Sequence, residues 1–297
     1  PQKATHIDLS LKGVDIIGNG SGSHHELRKL HTRLQLMVSA TRKCGGVYLY
    51  SNQRGCDGGR MYYDGCAMIV CNGEILAQAE QFDVRDVQVI SATVDLDDVR
   101  SYRASLPSFG IQAARYEMNT TVDAFIDCRG VKLVVPGDGL VRTPSVPIEL
   151  RYHSPEEECC LGPACWLWDY LRRSDATGFF LPLSGGADSS SVAAIVGAMC
   201  TIVTNAAQKD PEGEVARECR RVCQMDVLSD AWVPENPQEM ANIVFHTTFM
   251  GTENSSEKTE SRAKRLAEAI GSYHLSIKID LMVQAILKVF SMTTGQT

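Results

Sequence analysis

The stretch that decides the fold runs from residue 178 to residue 189 and reads Gly178-Phe179-Phe180-Leu181-Pro182-Leu183-Ser184-Gly185-Gly186-Ala187-Asp188-Ser189. Its first half is a short, continuous apolar run, which is typical of a strand buried on both faces. The residues that follow, to about Cys200, are mostly apolar and predict a helix. The second half of the stretch therefore predicts a tight turn from a strand into a helix.

A strand-to-helix turn of this composition favours a bound phosphate. Its backbone N–H groups aim at one point beside the positive end of the helix dipole. Gly185 and Gly186 lack a Cβ, so a phosphate can approach closely, and a branched side chain at Gly186 would fill that space and exclude a positive φ. Ser184 and Ser189 add hydroxyl donors, whereas we expect Asp188 to face a metal ion or a helix N–H. The loop lacks the Gly-Lys-Ser/Thr ending of a Walker A loop.

Strands and helices continue to alternate beyond this turn. Helices are predicted over 212–228 and after Ser256, with Ser256 as the N-cap and Gly271 just past the end. Strands are predicted over 243–250 and 273–279. Strand, helix, strand, helix, strand implies a parallel, doubly wound α/β domain.

The region before residue 107 predicts strands and hairpins with one helix. Apolar spacing predicts that helix over 25–41. Asp64-Gly65 and Asn72-Gly73 each predict a type I′ hairpin turn, which needs a positive φ at both central positions. The predicted strands are 13–17, 47–50, 61–63, 66–71, 74–79 and 87–94.

The length of 297 residues suggests about two domains. We expect a first domain over 1–106, a linker over 107–150 and a second domain over 151–297. The linker is rich in proline and glycine turns and has no long periodic run. The second domain opens on a helix that is predicted over 161–173.

The bulk composition excludes several function classes. The net charge of −7, from 36 acidic and 29 basic residues, argues against a nucleic-acid surface. No run of 18 or more apolar residues is present, so no membrane span is expected. The eleven cysteines are an odd number spread through the chain, which is not typical of a disulfide framework, and Cys219 and Cys223 lack a second pair at zinc spacing. They predict reduced thiols and a cytoplasmic location.

The sextet from Ser184 to Ser189 matches the SGGxDS signature of ATP pyrophosphatases, which cleave ATP between its α- and β-phosphates. The flanking segments 152–158 and 161–173, and Asn254-Ser255-Ser256 with Thr259, resemble eukaryotic glutamine-dependent NAD⁺ synthetases over nearly all of residues 150–297. The resemblance implies an adenine nucleotide alpha hydrolase-like fold, and ATP bound as its Mg²⁺ complex. It assigns to ATP the residues Pro182, Leu183, Ser184, Gly185, Gly186, Ala187, Asp188 and Ser189, with Ser184 as the catalytic residue and no metal ligand named.

The first half resembles the later part of nitrilase-superfamily amidases. Asn19-Gly20-Ser21-Gly22-Ser23, Asn52-Gln53 and Tyr63-Asp64-Gly65 recur in that order. The resemblance implies part of a nitrilase-like α-β-β-α sandwich, and it assigns glutamine contacts to Ser23 and Lys29. A turn hydroxyl and an exposed helix lysine are the alternative interpretations of these two residues.

The parent reaction implied by the family uses ATP, glutamine and nicotinic acid adenine dinucleotide, and the parent is expected to be a homo-oligomer. The family's Glu base, Lys and Cys nucleophile would all fall before Pro1, so we expect this chain to be a portion of a longer protein and inactive alone. We interpret Cys44, Cys56, Cys66 and Cys71 as packing residues rather than replacement nucleophiles.

Two other functions stay open at this point. The chain could belong to another glutamine-dependent ATP pyrophosphatase, or it could be a non-catalytic fragment that binds nucleotide or associates with subunits. A pairing of His24 or His25 with Cys44 is the alternative nucleophile. Sequence on both sides of the chain would separate these readings.

Overall fold

A computed structural model describes residues 4–116, 143–226 and 231–296. The chain divides into two compact units. The first unit comprises Pro1–Gln53, Tyr63–Gln81 and Val87–His153, and the second comprises Arg54–Tyr62, Phe82–Asp86 and Ser154–Thr297. Two short segments from the first half of the chain therefore pack within the second unit. The domain boundaries at residues 106 and 150 stay a prediction.

Four strands form the sheet of the first unit. The elements to residue 115 are α1 (Thr5–Leu11), β1 (Ile16–Ser21), α2 (Lys29–Cys44), β2 (Val47–Asn52), β3 (Arg54–Cys56), β4 (Tyr62–Asp64), β5 (Met68–Cys71), β6 (Glu74–Gln78), α3 (Leu96–Ala104) and α4 (Pro107–Arg115). The sheet order is β1-β2-β5-β6, and β3 and β4 form a separate two-stranded sheet. Strands β1 and β2 are parallel, with Ile16 opposite Val47, and the other neighbours are antiparallel.

Helix α2 packs on this sheet because its apolar residues recur at helical spacing. Leu30 and Leu34 of α2 lie in one buried cluster with Met68 and Val70 of β5. The apolar stripe on the helix thus covers one face of the sheet, which is the usual way for such a helix to bury its hydrophobic residues.

The second unit carries a parallel sheet. Its elements are α5 (Pro155–Arg173), β7 (Phe179–Pro182), α6 (Ala187–Lys209), α7 (Glu214–Val222), α8 (Pro237–Val244), β8 (Phe245–Gly251), α9 (Glu257–Ile270), β9 (Tyr273–Lys278) and α10 (Asp280–Thr294). The sheet order is β7-β8-β9, and both pairings are parallel, with Phe179 opposite Phe245 and His246 opposite Tyr273. The predicted α/β architecture is confirmed.

Helix α6 is the centre of the second core. Met199 and Val203 on α6 are buried with Trp168 and Leu171 of α5 and with Phe245. Over the described ranges, α6 is also the one helix long and apolar enough to cross a membrane by length and composition. The sequence did not single this helix out, because Thr201, Thr204 and Asn205 interrupt its apolar run. Because α5, α7, α8 and α9 all pack against α6, its apolar surface is that of a core helix.

The helix-capping residues that the sequence predicted for α9 are confirmed, whereas α5 and α6 differ from the prediction in their bounds. Ser256 accepts a hydrogen bond from the backbone N of Lys258, and Gly271 ends α9 with a φ of 85°, as predicted. Helix α5 begins earlier than predicted, at Pro155, because Ser154 and Glu157 form a capping box. Helix α6 also begins early, at Ala187, and extends to Lys209 rather than to about Cys200.

Other predictions failed. No strand forms over residues 87–94, where Val87 and Val89 are 74% and 85% exposed and have no sheet to pack on. Helix α2 begins four residues late because Arg28 adopts a left-handed φ of 64°. Helices α1, α3, α4, α8 and α10 and strand β3 were not predicted. Much of the predicted linker, 117–142, lies outside the described residues.

The two predicted hairpin turns had opposite outcomes. Asn72 and Gly73 have φ values of 49° and 91°, and they join antiparallel β5 and β6. Asp64 instead ends β4, and positive φ values fall on Gly65 and Cys66. The Asp64-Gly65 hairpin was wrong because the Asp64 side chain is fully buried and bonded to partners distant in sequence.

Candidate functional site

The loop between β7 and α6 is fixed at its start and at its middle. The backbone N of Leu183 donates to the Thr248 carbonyl at 2.7 Å, which extends the ladder between β7 and β8. Gly185 is buried with a φ of 73°, and a Cβ there would lie 2.2 Å from the Thr259 carbonyl oxygen. Only glycine fits this position, because both the backbone conformation and the close contact exclude a side chain.

Gly186 differs from its neighbour. It is the N-cap of α6 with a φ of −83°, and a Cβ would meet only the Ser184 Oγ, at 3.4 Å. The expectation that a branched residue at Gly186 would be forbidden by a positive φ was wrong. The positive φ belongs to Gly185, which turns the chain away from β7. At Gly186 the open space, rather than the backbone angle, is the reason for glycine.

The two serines of the motif tie the loop to itself. The Oγ atoms of Ser184 and Ser189 lie 3.0 Å apart and share a hydrogen bond. The backbone N of Gly186 donates to the Ser184 Oγ at 3.3 Å, and the Ser189 hydroxyl donates to the Gly186 carbonyl at 3.4 Å. The loop therefore holds its shape through its own side chains, with both hydroxyls at its exposed surface or close to it.

The other predicted nucleotide residues lie along the same turn. Pro182 ends β7, Ala187 begins α6, and Asp188 is exposed in the first helical turn. No side chain caps α6 at Gly186, so the first N–H groups of a 23-residue helix point out of its N-terminus. Such an end attracts anions through its free N–H groups and the helix dipole.

The carboxyl edge of the sheet brings further loops beside this one. After β8, the backbone N of Thr252 donates to the Ser255 Oγ at 2.8 Å. After β9, the backbone N of Ile279 donates to the Gly251 carbonyl, and Asp280 accepts from the Glu253 backbone N. In open α/β sheets ligands bind outside the carboxyl ends of the strands, so this edge is the candidate nucleotide site.

The candidate site offers no cluster of metal ligands within the described ranges, where no group of three or more His, Cys, Asp or Glu side chains converges. Asp188 is the carboxylate in the loop. We therefore assign no protein ligand to a metal ion at this edge.

Ser23 of the first unit is held by the side chain of Asn52. The Ser23 backbone N donates to the Asn52 Oδ1 at 2.8 Å, and the Asn52 Nδ2 donates to the Ser23 carbonyl at 3.0 Å. His24, the next residue, forms an isolated antiparallel bridge with Tyr63. The segment just after β1 is thus fixed from two sides, by Asn52 at the end of β2 and by Tyr63 of β4.

Lys29 is the first residue of α2, and its ammonium group has an acidic partner. Its Nζ donates to the Glu26 Oε1 at 2.7 Å, and the Nε2 of His24 lies 2.8 Å from the same oxygen. The hydrogen bond from Lys29 lowers the pKa of the Glu26 carboxyl. Sequence reasoning assigned roles to Ser23 and Lys29, quoted Asn52 as part of a motif without a role, and did not name Glu26. Within the described ranges no hydrogen bond joins Ser23 to Lys29 directly.

The cysteines of the first half are poor nucleophiles. Burial raises the pKa of the thiols of Cys44, Cys56 and Cys71, and it raises that of Cys66 to about 11. The thiolate is the reactive form, so these residues fit the packing role that the sequence predicted. The alternative pairing of a histidine with Cys44 gains no support, since His24 lies against Glu26 and His25 lies 3.6 Å from Asp64.

Comparison with known proteins matches both halves of the chain. The carbon-nitrogen hydrolase family matches residues 3–104, and the NAD synthase family matches residues 163–297. The glutamine-dependent NAD(+) synthetase of Saccharomyces cerevisiae is 52% identical over 295 residues, which cover 99% of this chain and 40% of that protein. Over nearly its whole length, the chain is similar to a portion of glutamine-dependent NAD(+) synthetases.

Further relatives agree. The glutamine-dependent NAD(+) synthetase of Oryza sativa subsp. indica is 53% identical over 294 residues, covering 99% of this chain and 38% of that protein. A crystal structure of a glutamine-dependent NAD(+) synthetase from Cytophaga hutchinsonii has a TM-score of 0.67 at 22% identity, with 97% of this chain and 40% of that chain covered. That likeness shows the shared fold. The chain spans about 40% of the length of the curated relatives it matches.

Proposed function

We propose that this chain contributes the ATP site of an enzyme that amidates nicotinic acid adenine dinucleotide to NAD⁺. The nitrogen is ammonia derived from glutamine, and AMP and pyrophosphate are released. One observation carries the proposal: the uncapped N-terminus of α6 follows a parallel strand through Gly185, whose φ of 73° and tight contact admit no side chain. This loop lies within the region that matches the NAD synthase family.

The loop would act mainly on the pyrophosphate that leaves ATP. Free N–H groups at the start of α6 and the hydroxyls of Ser184 and Ser189 can donate to phosphate oxygens. Donors held in place before the reaction stabilise charge that develops on a leaving group, and they need no rearrangement to do so. Since the two hydroxyls already hold the loop together, Ser184 would both shape the site and contact the anion.

Mg²⁺ would enter with ATP and neutralise part of the phosphate charge, with no ligand from this chain assigned to it. ATP would adenylate the nicotinate carboxylate, and ammonia would then displace AMP to leave the amide. The contribution of this chain is to bind and orient the triphosphate.

The first unit would supply part of the glutamine site. We assign Ser23 and Lys29 to glutamine, in line with the match of residues 3–104 to the carbon-nitrogen hydrolase family. A cationic ammonium and a hydroxyl suit the carboxylate and polar groups of glutamine. Because Lys29 is bonded to Glu26, glutamine would have to share or displace that carboxylate.

The test uses the complete polypeptide that contains this chain, supplied with ATP, nicotinic acid adenine dinucleotide and either glutamine or ammonium. Gly186→Val fills the open space at the N-cap without any demand for a positive φ, so the protein should fold and lose synthesis with both nitrogen sources. Ammonia release from glutamine should persist. Near-normal synthesis by a folded Gly186→Val protein would remove this loop as the ATP site.

The proposal includes a reducing, cytoplasmic location and a homo-oligomeric enzyme. The ten cysteines that lie within the described ranges all have free thiols, which supports a reducing compartment. Sedimentation of the complete polypeptide tests the assembly, and a monomer at micromolar concentration would contradict it.

A further inference from the structure

The side chain of Asn52 pairs with the backbone of Ser23 in the manner of a neighbouring strand. It accepts from the Ser23 N–H at 2.8 Å and donates to the Ser23 carbonyl at 3.0 Å. Strand β2 ends at Asn52, so a side chain continues the pairing where the backbone ladder with β1 stops. Both backbone groups of one residue are thereby fixed by a single amide.

The orientation of that amide is dictated by its other neighbours. The Asn52 Nδ2 also lies 3.1 Å from the Gly65 carbonyl oxygen and 3.4 Å from the Asp64 Oδ1. Both of these atoms accept hydrogen bonds, so the nitrogen must face them and the Oδ1 must face the Ser23 N–H. A flipped amide would place its oxygen against the carbonyl and carboxylate oxygens, and its nitrogen against the Ser23 N–H.

A buried ion pair keeps Asp64 in place behind Asn52. Asp64 is fully buried, Gln81 donates to its Oδ2 at 2.7 Å, and Arg33, with its side chain 8% exposed, donates to the same oxygen. Burial alone would raise the pKa of Asp64, but the nearby His25 imidazole, the Arg33 charge and the hydrogen bonds from Arg33 and Gln81 hold it below its usual value. The carboxylate is therefore charged at neutral pH and orients the amide.

The hydroxyl of Ser23 is left out of this network. Across the described ranges, no side chain or backbone group bonds to its Oγ, and the residue is half-buried. The network thus fixes the position of the Ser23 hydroxyl and leaves its hydrogen-bonding capacity unused. A plain turn serine would need no such support, since a turn is ordinarily held by its own backbone.

We propose that Asn52 is a positioning residue for the glutamine site, which sets the place of the Ser23 hydroxyl through the Ser23 backbone and is itself set by Asp64. This inference rests on the proposed function, because it takes Ser23 as a glutamine contact. Asn52 acts through Ser23 and need not touch glutamine.

The test compares Asn52→Ala with Asn72→Ala in the complete polypeptide. Each change removes an amide oxygen that accepts from a backbone N–H of the first unit, since Asn72 Oδ1 accepts from the Gly46 N at 3.0 Å. Asn52→Ala should raise the KM for glutamine roughly tenfold, as expected for losing the equivalent of one hydrogen bond or two at the site. The rate with saturating ammonium should not change. The two variants should lose a similar amount of thermal stability, because each loses one such hydrogen bond. Asn72→Ala should leave the KM for glutamine unchanged.

A double-mutant cycle with Ser23→Ala separates this inference from the proposed function. If Asn52 acts through Ser23, the two KM effects should be strongly less than additive. Additive effects, or an unchanged KM in Asn52→Ala when Ser23→Ala raises it, would overturn the positioning role while leaving Ser23 as a contact. An unchanged KM in Ser23→Ala would instead overturn the proposed assignment of Ser23.

Discussion

The loop from Ser184 to Ser189 and the segment around Ser23 reach a fixed shape by different means. In the loop, serine hydroxyls bond to each other and to backbone atoms within six consecutive residues. Ser23 is instead held by Asn52, which depends on Asp64, and Asp64 depends on Arg33 and Gln81. A site held by neighbouring residues tolerates changes elsewhere in the chain. A site held by residues distant in sequence is disturbed when any of those residues is changed.

This difference predicts where each site is vulnerable. Gly185 brings the loop against Thr259, whereas the hydrogen bonds that fix the backbone of Ser23 come from Asn52, which is 29 residues away in the sequence. Substitutions of the residues that hold Ser23 in place should therefore affect folding and glutamine use together. Changes at the exposed serines of the loop should affect nucleotide use with little change in folding.

The largest effect is expected from Asp64→Asn. It leaves the Arg33 guanidinium buried without a counter-charge, which should cost about 3–5 kcal/mol in the free energy of unfolding of the first unit. Urea unfolding of the chain measures this loss. Asp97→Asn is the control, because Asp97 pairs with Arg100 at the surface and should change stability by about 0.5 kcal/mol or less. Equal losses of unfolding free energy in the two variants would contradict the buried network of Asp64, Arg33 and Gln81.

The same pair gives a pH test. The pKa of Asp64 is lower in the folded chain, so its contribution is complete above the unfolded pKa of about 3.9 and is lost as the pH falls through the folded value. The stability difference between the native chain and Asp64→Asn should therefore shrink below about pH 4. A difference that stays constant from pH 6 to pH 3 would show that the Asp64 charge contributes nothing.

Gly185→Ala should have the next largest effect. The left-handed backbone should cost about 1–2 kcal/mol, and the contact with the Thr259 carbonyl should add about 1–3 kcal/mol. Gly186→Ala is the matched control, since its φ is negative and its nearest contact is 3.4 Å. Thermal unfolding should separate the two variants clearly. If both unfold at the same temperature, the loop is less constrained at Gly185 than its geometry requires.

Ser184→Ala should have the smallest effect on folding and a moderate effect on synthesis. Loss of one hydroxyl donor to a phosphate should cost about 1.5–3 kcal/mol, or roughly tenfold to a hundredfold in ammonium-dependent NAD⁺ formation. The exposed loop should still fold, because the bonds of Ser184 among the described residues are to its near neighbours Gly186 and Ser189. Unaltered synthesis would argue that backbone N–H groups alone hold the anion.

Prediction from sequence succeeded where short-range chemistry decides the structure. The cap at Ser256, the left-handed Gly271 and the Asn72-Gly73 turn each depend on the conformation of one or two residues. It failed at residues 87–94 and at Asp64-Gly65. In both places the residue types were suitable for the predicted element, but the partners that would stabilise it lay elsewhere.

The amino-acid sequence by itself determined the parallel α/β unit and the position of its glycine turn, because a strand, two glycines and a helix start are encoded by neighbouring residues. Only the tertiary structure decided which glycine is indispensable, since the carbonyl of Thr259 approaches Gly185 and not Gly186. It also decided that Asn52 holds Ser23. A side-chain amide has that role because folding brings two backbone groups and a buried carboxylate within hydrogen-bond distance of it. The spacing of these residues along the chain does not predict that they are close in space.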